Sequence, residues 1–141
     1  MGLFSRRRYD KYQIAIYLLL CSSIGLSPTA LLYLFYILDK EYKIKTGVKF
    51  RKWFHGFYSK DVNEVLFDLE ERGLVIQSMR KNEYHEWLYK INPDSIDEAR
   101  EQVKDLEQFE ELFQTISNMP LIVMMDRVDR INQRRLGWLH L

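Results

Sequence analysis

The chain has little of what would let a function be read from one motif. It holds a single cysteine, Cys21, so no internal disulfide can form, and the thiol lies in an apolar run as a small buried hydrophobe. It holds three histidines, His55, His85 and His140, too far apart for metal-ligand spacing. No Gly-rich loop follows a strand to cradle a phosphate, and no zinc-peptidase or nucleophile-elbow pattern occurs. These absences set catalysis aside: the expectation is a non-enzymatic protein with no cofactor and no metal. Long apolar runs are missing as well. The start MGLFSRRRYDKYQIAIYLLLCSS imitates a signal peptide, yet Tyr17 to Leu20 and Leu31 to Leu38 belong to stretches shorter than the roughly 18–20 apolar residues of a membrane span. They read as buried helices of a cytoplasmic protein with no membrane contact. Arg6 stands where a myristoylation signal has Ser or Thr.

Net charge is nearly absent too, at +1, but its distribution is uneven. Through Lys60 there are eleven Lys and Arg against three acids, and beyond it ten against seventeen. The first part suits a phosphate-bearing partner, the acidic part of the same chain or of a second copy, or simply a well-solvated surface. What the sequence does have is core material: 47% hydrophobic and 14% aromatic residues in 141, enough for one domain.

Residues 1–8, with Arg6, Arg7 and Arg8, read as a basic flexible arm. Tyr9 to Ser23 reads as a central helix because Ile14 to Cys21 is apolar on every face, and Gly25 ends it. Ser27 and Pro28, a hydroxyl cap followed by proline at the first helical position, start a second helix to about Tyr42, expected to pack on the first as an αα-hairpin. Alternation then takes over: Val48, Phe50 and Phe54 fall on one face of a strand, and Lys49, Arg51, Trp53 and His55 on the other.

The stretch Phe54 to Val75 organises the rest. Ser59 is a helix N-cap, Val62, Val65, Leu66 and Leu69 form a buried stripe, Asp68, Glu70 and Glu71 face water, and Gly73 hands the chain to a strand. Leu74 to Met79 and Tyr84 to Ile91 flank a polar turn, Arg80 to Glu83, as a hairpin wing. A long helix from Ile96 to Ser117 follows, apolar on one face and acidic on the other, then a last helix, Leu121 to Leu136, with Met124, Val128 and Ile131 as its face. Trp138, Leu139 and Leu141 form an apolar tail. The expected fold is α+β and mainly helical. Residues 9–93 make a winged-helix-like core of two apolar helices, a basic strand, a helix and a β-hairpin wing, and residues 94–141 a C-terminal helical region that packs on the core or mediates dimerisation.

The helices around Leu18 and Leu34, the turn His55-Gly56-Phe57-Tyr58-Ser59 and the run Leu69 to Leu74 resemble the SocA-like, or Panacea, domain of prokaryotic and phage antitoxins, over about residues 9–91. Phe57 stands where that family has proline in a Gly-Pro-Tyr turn. The helix-Gly-strand ending is also similar to winged-helix transcription regulators of the MarR and PadR kinds, whose long C-terminal helices dimerise. The expectation is a regulator that binds double-stranded DNA as a homodimer. Lys49, Arg51, Lys60, Arg80 and Lys81 would lie along phosphates, and Asn63 at base edges. The alternative is an antitoxin-like adaptor that clamps a partner protein through its acidic helices or through the aromatic surface near Trp53 and Phe57.

Overall fold

The computed structural model describes residues 8–53 and 56–136, so expectations for Arg6, Arg7, Phe54, His55 and the tail from Trp138 lie outside the described residues. Helix α1 (Lys11–Cys21) begins where Asp10 accepts a hydrogen bond from the Tyr12 N–H at 2.8 Å. Ile14, Ala15, Ile16 and Leu18 are fully buried, which is why this helix shows no polar face in sequence. Helix α2 (Pro28–Lys40) starts on the expected pair: the Ser27 hydroxyl accepts from the Ala30 N–H at 3.1 Å, and Pro28 is the first helical residue.

The two helices are not the side-by-side hairpin expected of them. Both touch the helix Lys60–Glu71 and the strand Trp87–Ile91, but α1 otherwise packs on the two helical stretches between Ile96 and Ser117, and α2 on the last helix. The reason is the amount of apolar surface: α1 is buried all round and one neighbour cannot cover it.

From Glu41 to Phe50 the chain forms no regular element, turning at Lys43 and Gly47, which have φ +58° and +81°, and the end of the N-terminal arm is held to it. Arg8 and Lys45 form a parallel bridge, and the Tyr9 N–H donates to the Lys45 carbonyl at 2.7 Å. Strands β1 (Arg51–Trp53) and β2 (Gly56–Tyr58) then pair antiparallel, with Arg51 opposite Tyr58 and Lys52 opposite Phe57. The single basic strand of the sequence reading is therefore one arm of a hairpin. Gly56 takes φ +146°, a conformation L side chains rarely adopt.

Helix α3 (Lys60–Glu71) carries its expected cap, the Ser59 hydroxyl accepting from the Val62 N–H at 3.3 Å, and buries Val62, Val65, Leu66 and Leu69. Asp68, expected in water, instead accepts from the Tyr12 hydroxyl at 2.6 Å and ties α3 to α1. Gly73, at φ +77°, turns the chain into β3 (Val75–Lys81), which pairs antiparallel with β4 (Trp87–Ile91). Arg80 and Lys81 thus belong to β3 rather than to the tip. The turn runs from Asn82, whose side-chain oxygen accepts from the Tyr84 and Glu86 N–H groups at 2.9 and 3.0 Å.

A second contact fixes that hairpin. Leu26, between α1 and α2, bridges Tyr89 of β4 through a reciprocal pair of backbone bonds at 2.9 and 2.8 Å.

The expected helix Ile96 to Ser117 is broken into α4 (Ile96–Gln102), a 3-10 stretch (Lys104–Phe109) and α5 (Glu110–Ser117). No Gly or Pro lies within it. The bend lets Ala99, Val103, Leu106, Phe113 and Ile116 all be buried while α4 and α5 both lie along α1. The Asn118 side chain secures its end, donating to the Cys21 and Gln114 carbonyls and accepting from the Ser23 N–H. Helix α6 (Leu121–Leu136) lays Met124, Val128 and Ile131 against α2, as their spacing predicts. The whole is α+β and mainly helical, with two small antiparallel sheets. Among the described residues no helix is long and apolar enough to cross a membrane.

Candidate nucleic-acid interface

The cationic residues singled out from the sequence fall into two places. Lys49 is exposed just before β1, and its backbone N–H donates to the Asp61 carboxylate at 2.8 Å. That bond joins the basic segment to the first turn of α3, where an acid is favoured by the helix dipole. Arg51 is exposed on β1 opposite Tyr58, which leads through Ser59 to Lys60. Lys49, Arg51 and Lys60 therefore gather at one edge. Lys60 lies 3.7 Å from Glu64, an exposed pair of little energetic weight, and Asn63 is exposed on the same helix. Among the described residues no carboxylate pairs with the side chains of Lys49, Arg51 or Lys52.

Arg80 and Lys81 sit on the other hairpin, tied to the loop before α2 rather than to β1. Lys81 has an internal partner: its ammonium lies 4.5 Å from the centre of the Trp87 ring. Arg80 is exposed, and so is Met79, which is 77% accessible at φ +64°.

Phe57, expected as an outward contact, is half-buried. Its ring centre lies 4.4 Å from that of Tyr36 and 5.4 Å from that of Tyr33, with Phe50 edge-on at 5.9 Å. Trp53 is the strand partner of Gly56. The aromatic cluster floors a recess of about 420 Å³ between β1–β2, α2 and α6, which the sequence reading did not foresee. Lys40, Arg51 and Lys52 stand at it, and Asp129 and Asn132 of α6 close the far wall. The Tyr36 hydroxyl donates to Asn132 Oδ1 at 2.5 Å. Burial raises the Tyr33 phenol above its ordinary value, and the Asp129 and Glu86 carboxylates add to the shift. A signal was there: Tyr33, Tyr36 and Lys40 recur at helical spacing on a helix expected only to pack on the first.

The outward face of α3 is less suited to a polyanion. Beside Glu64, Glu70 and Glu71 it carries Phe67, 60% accessible. No group of three His, Cys, Asp or Glu among the described residues is arranged to hold a metal ion, and His85 is exposed in the β3–β4 turn. Compared with protein-family models, curated proteins and solved structures, the chain matches none of them.

Proposed function

We propose that the protein is a non-enzymatic, winged-helix-like regulator that binds double-stranded DNA as a homodimer. The order α1, a one-residue bridge, α2, α3 and the β3–β4 hairpin supports the winged-helix reading, with β1–β2 as an addition between α2 and α3. The observation that carries DNA binding is the Lys49–Asp61 backbone bond, which holds Lys49, Arg51 and Lys60 as one edge, with the side chains of Lys49 and Arg51 lacking acidic partners among the described residues. Phosphates neutralised there release counterions. Helix α3 then aims the edge more than it reads bases, because its own outward face is acidic.

Fluorescence anisotropy with a labelled duplex tests this across a salt series. Binding should weaken steeply with salt. Arg51→Ala and Lys49→Ala should each weaken it on every sequence and lower the slope by about one phosphate contact. Arg80→Ala should weaken it less, and Lys81→Ala least, since Trp87 already holds that cation. A flat salt response would sink the proposal.

Phe67 favours a second reading, an antitoxin-like adaptor that clamps a partner protein. Co-purification of one partner that is lost on Phe67→Ala and kept on Arg51→Ala would select it.

A further inference from the structure

The recess beside the basic edge has the chemistry of a site for one small ligand. At about 420 Å³ it lies in the range of small-molecule pockets. Its floor is aromatic: Tyr33 and Phe57, both half-buried and packed on the buried Tyr36 ring, are the rings on which a planar group can stack. Its polar groups are divided. At the end of α2, the Lys40 ammonium lies 5.7 Å from the Tyr36 ring centre, and Arg51 and Lys52 stand across from it on the hairpin. At the Tyr33 end stands Asp129, one helical turn from Asn132 on α6.

Asn132 completes the pattern. Its Oδ1 is occupied by the Tyr36 hydroxyl, which leaves the amide Nδ2–H₂ as a donor with no acceptor among the described residues. A carboxylate acceptor three residues from an amide donor matches the edge of guanine, where N1–H and N2–H₂ donate and O6 accepts. Adenine has one donor at that edge, N6–H₂, beside the acceptor N1, so it gives the carboxylate one bond where guanine gives two. Three cations at the other end suit a phosphate.

We infer that the recess binds a guanine nucleoside 5′-phosphate, with the base on Tyr33 and Phe57, its edge at Asp129 and Asn132, and the phosphate at Lys40, Arg51 and Lys52. The site shares Arg51 with the proposed duplex edge and differs from it in Asp129 and Asn132 of α6, which contribute nothing to the edge formed by Lys49, Arg51 and Lys60.

Isothermal titration calorimetry on the full chain, with guanosine 5′-monophosphate, adenosine 5′-monophosphate and inorganic phosphate, tests it. The guanine nucleotide should bind saturably and about tenfold or more tighter than the adenine one, a difference of the size a matched pair of base-edge bonds supplies. Asp129→Asn should abolish that preference, and because Asp129 is exposed it should leave the thermal midpoint and duplex binding unchanged. Arg51→Ala with Lys52→Ala should weaken both nucleotides alike. Equal binding of the two nucleotides, a preference that survives Asp129→Asn, or inorganic phosphate binding as tightly as the guanine nucleotide would each overturn the inference. So would the lack of any heat with the guanine nucleotide at millimolar concentration. Duplex binding lost while nucleotide binding persists would overturn the proposed function instead.

Discussion

Cys21 shows at the scale of one residue how placement decides chemistry. It lies at the end of α1, 6% accessible, and burial pushes its thiol up to about 11, with Glu110 adding to the shift. The thiolate is the reactive form, so at neutral pH the folded protein should react with a thiol reagent about a hundredfold or more slower than the urea-unfolded chain. Equal rates, followed by absorbance with a chromogenic disulfide, would contradict the burial. The apolar run around Cys21 made its burial legible in the sequence. Tyr12 and Asp68 were not legible: they are far apart in the chain, each reads as a surface residue, and only the approach of α3 to α1 turns them into a 2.6 Å hydrogen bond. Asn118 is a similar case, because its three bonds link elements that the sequence treats separately.

Among the elements, the β3–β4 hairpin is positioned by Gly25. The backbone there has φ +97°, and a Cβ would meet the Tyr89 carbonyl oxygen at 2.7 Å. Gly25→Ala therefore forces both a strained backbone and a clash with β4, and should cost roughly 1–3 kcal/mol in urea unfolding. Gly73→Ala has the same strain at φ +77° but open space around it, so it should cost less. The two glycines look equivalent in sequence, each ending a helix. What separates them is the strand that docks on one and not on the other. Helix caps were readable because Ser27 and Ser59 act within their own turns. The break between α4 and α5 was not, since no local signal causes it and the burial of both apolar stretches against α1 does.

For the whole molecule, the C-terminal helices are part of the same core as the rest, α6 against α2 and α5 against α1. What they leave outside is a small apolar area at the start of α6: Ile122 and Val123 are 57% and 44% accessible, and Ile24 borders a recess there with Leu121 and Met124. If the proposed dimer forms through the C-terminal region, this is the area it must cover. Ile122→Asp is then expected to shift sedimentation from dimer toward monomer without lowering the thermal midpoint, because that side chain is not in the core; an unchanged distribution would place the dimer contact elsewhere. The sequence alone determined where the helices lie, apart from the break between α4 and α5, and which faces are apolar, and it concentrated the cations before Lys60, because caps, glycines and periodicity act over a few residues. The tertiary structure alone decided that the basic strand folds back as a hairpin, that Arg51 and Lys60 share an edge while Arg80 stands apart, and that Tyr33, Tyr36, Phe57 and Asn132 line one recess. Those outcomes depend on how α2, α6 and the two hairpins close over a common core, and residues so distant in the chain carry no local mark of meeting.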